Sequence, residues 1–168
     1  MNVFASIAKS LARLSAGINR VCWVTAGAFM LAMLAAVGLQ VVARYVFFSP
    51  PSWTEELARY CMIWCGYLGA TVSFYRREDP VLMGRKRVDA GSLSVFYLLV
   101  RNGAVALFLV PIVYWSPVII RHHMSRETES MELISGYVML IIPIFAVIVL
   151  VHVVARVIEA LAKRYAGT

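Results

Sequence analysis

Charge is scarce in this chain. Asp, Glu, Lys and Arg make up 15% of its 168 residues, where a soluble domain carries ~25%. Disorder is excluded by the same shortage, since a disordered chain needs low hydrophobicity. Cysteine is nearly as rare: Cys22, Cys61 and Cys65 are the three. An odd number with no pair in a loop argues against a disulfide framework. Cys61 and Cys65 stand four apart inside an apolar run, and read as small buried apolar residues rather than a redox pair. Phosphate loops, nucleophile motifs and metal-ligand spacings are missing, so no catalytic site, cofactor or metal is expected. The three histidines do not suggest a haem. His122 and His123 end the third apolar run, whereas His152 lies near the far end of the fourth. Two such imidazoles are at opposite depths.

What is there is apolar side chain: 61% of the residues, with a mean hydropathy of +0.78, against ~45–50% in soluble domains. A soluble globule of this size could not hide so much of it, and a lipid bilayer is the solvent that fits. The net charge of +7 comes from sixteen Lys and Arg against nine Asp and Glu. With no zinc pattern or aromatic-interleaved basic patch beside it, nucleic acid is not an expected partner. In a membrane protein such an excess reports orientation.

Three uncharged apolar stretches are plain: Val21 to Ala43, Asn102 to Ile120 with a lead-in from Val95, and Leu133 to Ala155. Each can cross ~30 Å of hydrocarbon at 1.5 Å per residue. A fourth, Tyr60 to Tyr75, is short unless extended back to Trp53, which brings in Glu55, Glu56 and Arg59. It reads as a span whose first turns are ionised. The expected fold is an all-α membrane protein, a single domain over 1–168 with four transmembrane helices at about 21–44, 53–75, 95–120 and 133–155. Strict alternation in ~10-residue units is missing, which argues against a membrane barrel. Pro111, Pro117 and Pro143 fall inside the third and fourth spans, where local bends are expected rather than breaks.

Lys and Arg set the direction. Lys9, Arg13 and Arg20 precede the first span; Arg76, Arg77, Arg85, Lys86 and Arg87 lie between spans two and three; Arg156, Lys163 and Arg164 follow span four. Those eleven face three on the other side, Arg44, Arg121 and Arg126. The imbalance predicts cytoplasmic N- and C-termini. The first apolar run is too long for the h-region of a signal peptide, so it is expected to remain as a span. Before it, Phe4, Ile7, Leu11, Leu14 and Ile18 step by threes and fours, with Lys9, Arg13 and Arg20 opposite. This pattern over 1–20 predicts an amphipathic helix in the membrane interface. Packing on neighbouring protein, or simple continuation of span one, are the alternatives.

The densest chemistry lies between Gln40 and Trp64. Pro50 and Pro51 force an extended connection, Ser52 or Thr54 is a candidate N-cap, and Glu55 and Glu56 fall in the first helical turn, where the helix dipole favours them. Glu55 and Arg59 are i, i+4 in the favourable order, and Arg44 can reach the same acids. Arg44, Glu55, Glu56 and Arg59 are therefore expected to form a charge network joining spans one and two, with Trp53 in an interfacial aromatic belt. The stripe Glu55, Arg59, Met62, Gly66, Gly69 and Ser73 is expected to meet Met33, Ala36, Val37, Gln40 and Arg44 of span one. The separate aromatic stripe Trp53, Tyr60, Trp64 and Tyr67 is then a candidate face toward a partner.

The run Gln40-Val41, Arg44-Tyr45-Val46-Phe47, Pro50 or Pro51, Trp53, Glu55-Glu56-Leu57-Ala58-Arg59, Trp64 and Leu68-Gly69-Ala70 resembles the small, DctQ-type membrane subunit of tripartite ATP-independent periplasmic (TRAP) transporters. Arg76-Arg77 and Arg87-Val88-Asp89 look like the basic loop of that family, and the Pro143 region is also similar. One departure is the stretch Asp79 to Lys86, longer and more basic than the family's Gly-His-Ile-like segment. The resemblance implies a multi-pass protein of the bacterial inner membrane, in contact with lipid. It also implies two partners: a large polytopic subunit carrying the substrate and sodium sites, and a periplasmic solute-binding protein. The cargo would be a small organic anion such as a carboxylate, driven by an ion gradient. The small subunit would be a stationary scaffold. Arg44, Trp53, Glu55, Glu56 and Arg59 would then organise its outer half and dock partners. Outer-loop residues Arg121, Arg126, Glu127, Glu129 and Glu132 would help meet the binding protein. Two competing readings are the membrane anchor of a redox enzyme and a small homodimeric exporter. The exporter class generally needs an acid deep in a span, and these acids sit near an interface.

Overall fold

In hydrocarbon every backbone polar group must be satisfied inside its own segment, which leaves helices or closed barrels. The computed structural model describes residues 2–76, 92–128 and 130–166, and its regular elements are all helices: α1 (Asn2–Tyr45), α2 (Ser52–Arg76), α3 (Ser92–His123), the short α4 (Ser135–Met139) and α5 (Ile141–Ala166). Three stretches are long and apolar enough to cross a membrane: Ser6–Tyr45, Leu99–His123 and Ser135–Ala162. At 25 residues α2 is long enough, but its ionised first turns and many tyrosines and tryptophans lower its apolarity. The basic loop between α2 and α3, with Arg77, Arg85, Lys86 and Arg87, lies outside the described residues.

The segment before the first apolar run is continuous with it. Its 44 residues make α1 ~66 Å long at 1.5 Å per residue, about twice a hydrocarbon core. The alternative that the bulky apolar stripe of 1–20 packs on neighbouring protein is not followed at Ile7 and Leu14. Ile7 and Leu14 are half-exposed, while their neighbours Ala8 and Ser15 are buried. Among the described side chains of α1 the buried positions are small, at Ala8, Ser15, Cys22, Ala26, Ala36 and Ala43, and all but Ala26 fall on a seven-residue spacing. A seven-residue repeat keeps one seam facing its neighbour, and small residues let backbones approach in lipid.

α5 is the central element. It packs against α1, α2 and α3. One cluster joins Cys22 and Ala26 of α1 to Leu68 and Val72 of α2 and Ile141 of α5. Another joins Phe74 of α2 and Leu109 of α3 to Ala146, Val149 and Val153 of α5. Rings also meet across the bundle: Phe29 of α1 lies tilted on Trp64 of α2 with centroids 5.4 Å apart. Tyr67 meets Phe145 edge-on at 5.2 Å.

These contacts reverse the expected faces of α2. The aromatic residues Tyr60, Trp64 and Tyr67 turn into the chain's own bundle, so they are not a surface for a partner. Glu55, Arg59, Met62 and Gly66 point outward instead. Of the α1 face, Met33, Ala36 and Gln40 lie inward, whereas Val37 and Arg44 are exposed. Ring-on-ring contact, Trp64 with Phe29 and Tyr67 with Phe145, won over small against small, because it buries more surface.

Pro111 and Pro117 are accommodated within a continuous α3. Pro143 removes one rung without breaking the span, which runs over Ser135–Ala162. Lacking an N–H, it cannot bond the carbonyl of Met139; α4 and α5 meet at Leu140, which keeps helical angles (φ −56°, ψ −25°) and bonds the Gly136 carbonyl.

Candidate functional site

The helices α1, α2, α3 and α5 gather polar side chains at two ends. The first end holds the start of α2 and the loop from α3 to α4. α1 stops there with the N–H of Ser49 donating to the carbonyl of Ala43 at 3.2 Å and Phe48 left-handed at φ 56°, which satisfies one of the helix's end carbonyls. α2 then begins at Ser52. Thr54 is not its N-cap: it is buried, and its hydroxyl donates to the Pro51 carbonyl at 2.7 Å.

Of the expected network, one ion pair forms among the described residues: Arg59 Nη2 to Glu55 Oε1 at 3.3 Å, within α2. The side chains are 61% and 68% exposed, so solvent screening leaves the pair worth ~0–1 kcal/mol. Arg44 is exposed and reaches neither acid. Trp53 is 41% exposed in the first turn of α2, as befits an interfacial aromatic. The expected bridge of charges between spans one and two is therefore not what the structure contains.

Glu56 makes the long-range connection. Its Oε1 accepts from the Tyr60 hydroxyl, one turn along α2. Its Oε2 accepts the backbone N–H groups of Ser130 at 2.9 Å and Met131 at 2.8 Å. The loop that supplies them is closed on itself. Glu127 and Ile134 form an isolated antiparallel bridge. The N–H of Thr128 donates to the Leu133 carbonyl at 2.8 Å, and that of Leu133 donates to the Thr128 hydroxyl at 3.0 Å. Glu132 turns the chain with φ 53°. A carboxylate has only acceptors, and adjacent N–H groups of a turn form a concave donor pair that fits one. Sequence spacing placed Glu56 beside Arg44 because charges invite pairing with charges. Backbone donors have no sequence signature.

The loop's own charged residues are brought to this rim but not to one another. Arg121, Arg126, Glu127 and Glu132 are exposed. Arg126 Nη2 lies 3.4 Å from His122 Nε2. Glu129 lies outside the described residues.

The other end is built from α1, the close of α2 and the C-terminal half of α5. His152 is 2% exposed; its Nδ1 is 2.7 Å from Ser15 Oγ, and its ring lies 5.2 Å from that of Tyr75. One turn on, Arg156 donates from Nη2 to the carbonyl of Phe74 at 2.6 Å and lies over the Phe74 ring at 4.5 Å. That carbonyl is in the last turn of α2, where helix carbonyls lack internal partners and a cation is favoured. Sequence reasoning weighed His152 only as a haem ligand and passed over Ser15 and Arg156. The available signal was the seven-residue spacing of Ala8, Ser15 and Cys22, which puts a hydroxyl on the buried seam. His152 Nε2, Asn19 Oδ1 and Asn102 Oδ1 are buried without a hydrogen-bond partner among the described residues. Cys61 is buried, Cys65 partly so, and both are free thiols.

Residues 33–163 match the family described as tripartite ATP-independent periplasmic transporters, DctQ component. The match runs from the last third of α1 to near the end of α5, and the chain belongs to this family. It takes in Glu56, the α3–α4 loop, His152 and Arg156, and leaves Ser15 outside. No curated protein matches the chain.

Proposed function

We propose that this DctQ-family chain is the small membrane subunit of a TRAP transporter and braces the large transport subunit in a bacterial inner membrane. Substrate arrives on a periplasmic binding protein, and the cargo is a small organic anion such as a carboxylate, drawn in by an ion gradient, sodium being the expected one. The observation that carries this reading is the family match over residues 33–163. How the polar groups are used supports it. The Thr54, Thr71 and Ser116 hydroxyls each return to a carbonyl three residues back. Glu56 holds a loop, His152 a serine, Arg156 a helix end. These groups stitch the chain together, as a scaffold requires, instead of lining a path.

In this reading all four long helices cross the membrane, α2 with its ionised turn at the outer interface, and both termini are cytoplasmic. The loop clasped by Glu56, with Arg121, Arg126, Glu127, Glu129 and Glu132, faces the periplasm and offers mixed charge to the binding protein. Reporters fused after Ser49, Arg85, Thr128 and the C-terminus are expected outside, inside, outside and inside. Function is tested in liposomes. Uptake of a labelled organic anion is expected only with this chain, the large subunit and the binding protein together. Transport by this chain alone overturns the proposal.

A further inference from the structure

α3 has two faces with different chemistry. Asn102, Val105, Leu109, Ile112, Val113 and Ser116 turn toward the bundle. On the opposite side Val100, Ala104, Leu107, Pro111, Tyr114, Val118 and Arg121 recur by threes and fours, all exposed. Leu107 is 79% exposed, Tyr114 75% and Val118 62%. This stripe spans ~32 Å at 1.5 Å per residue, a full membrane thickness. An exposed apolar stripe alone describes any lipid-facing helix. Two features of this one do not suit lipid.

The first is Tyr114. The uncharged run Asn102–Ile120 is centred on Pro111, which puts Tyr114 ~5 Å from the midplane. Helical side chains lean toward the N-terminus, so its phenol leans to the bilayer centre and away from the nearer surface. Its ring touches Trp115, and no hydrogen bond among the described residues reaches its hydroxyl. Acyl chains offer no acceptor there, whereas a neighbouring helix does. The second is the pair Gly103 and Ala104. Both are exposed. Small residues open to the outside admit another helix backbone, and here they accompany an unpaired hydroxyl, which the exposed Ala28, Ala35 and Gly38 of α1 do not.

We propose that this face of α3 is the docking surface for a transmembrane helix of the large transport subunit, which supplies an acceptor for Tyr114 at mid-depth and negative charge for Arg121 at its outer end. The inference rests on the scaffold reading above. A second copy of this chain fits the face poorly. Two copies share one orientation in the membrane, so a symmetric contact would set Arg121 against Arg121.

The test uses the whole transporter, with the large subunit and binding protein co-expressed. A photo-reactive benzoyl-phenylalanine is placed at Leu107, at Tyr114, or at Leu31 of α1, which is also well exposed. Irradiation is expected to join this chain to the large subunit from Leu107 and Tyr114 and not from Leu31. An adduct of two copies from α3 overturns the proposal. So does an intact complex that gives no protein adduct from α3, and that result leaves the scaffold reading standing. Failure of the wild-type chain to assemble with the large subunit sinks the scaffold reading itself. Tyr114→Phe removes only the hydroxyl, which no described residue of this chain bonds. It is expected to weaken association about three- to tenfold, the range of one interhelical hydrogen bond; unchanged association overturns the hydroxyl's role.

Discussion

The two polar ends of the bundle solve opposite problems. At the α2 N-terminal end an exposed loop must be held, and one carboxylate does it by accepting two backbone N–H groups. At the α5 C-terminal end a long helix must be kept beside the core, and a buried imidazole does it by meeting one hydroxyl. The first contact uses charge where water is near, so ionisation costs little. The second uses neutral groups where burial would penalise an unpaired charge. Abundance of charge is therefore a poor guide to which contact matters. The Glu55–Arg59 pair is the most visible electrostatic feature of the chain and is the weakest of these ties.

That contrast can be broken by experiment, beginning with the largest expected effect. His152→Ala deletes a ring packed on Tyr75 and strands Ser15, and is expected to cost ~2–4 kcal/mol, as for other large-to-small changes in a core. The measurement is thermal unfolding of the purified protein in detergent. A loss as small as that of an exposed site would show that the inner contact is not structural. Next comes Glu56→Ala. It releases the N–H groups of Ser130 and Met131, and trypsin is expected to cut after Arg126 faster than in the parent protein. Glu56→Gln is expected to recover part of the protection, since its amide oxygen still accepts. Equal cleavage of all three would show that the loop holds itself.

Ser15→Ala is expected to cost ~1 kcal/mol, one net hydrogen bond, read by the same melting experiment. A free α1 start, seen as faster hydrogen exchange over residues 6–14, would accompany it. Last are Glu55→Gln and Arg59→Gln, each expected to change stability by no more than ~0.5 kcal/mol. If either exceeded Glu56→Ala in its effect on loop cleavage, the ranking of the two carboxylates would be reversed.

Two helix positions were legible to within a few residues, whereas α1 starts at Asn2, well before 21, and α5 runs to Ala166, well beyond 155. The stretch expected at 53–75 is α2 at Ser52–Arg76, and that expected at 95–120 lies within α3 at Ser92–His123. Length and apolarity suffice for this, because lipid forces each segment to close its own hydrogen bonds. The faces were much less legible. In water the buried side of a helix is its apolar side, and periodicity finds it. In lipid both sides are apolar, so Leu14 can lie outside while Ser15 is inside. On α2 the same ambiguity exchanged the glycine stripe for the aromatic one. The family match shows that the run from Gln40 to Ala70 carried the right signal for kinship even where its contacts were misjudged.

The sequence alone determined that the chain is helical, lipid-soluble and akin to the DctQ component, since composition and a few adjacent residues carry those properties. Tertiary structure alone decided that Glu56 grips the loop at Ser130 and Met131, that Ser15 meets His152 across 137 positions, and that Tyr114 is left facing outward. Such pairings depend on the packing of helices far apart along the chain, and on backbone donors that every residue but proline possesses.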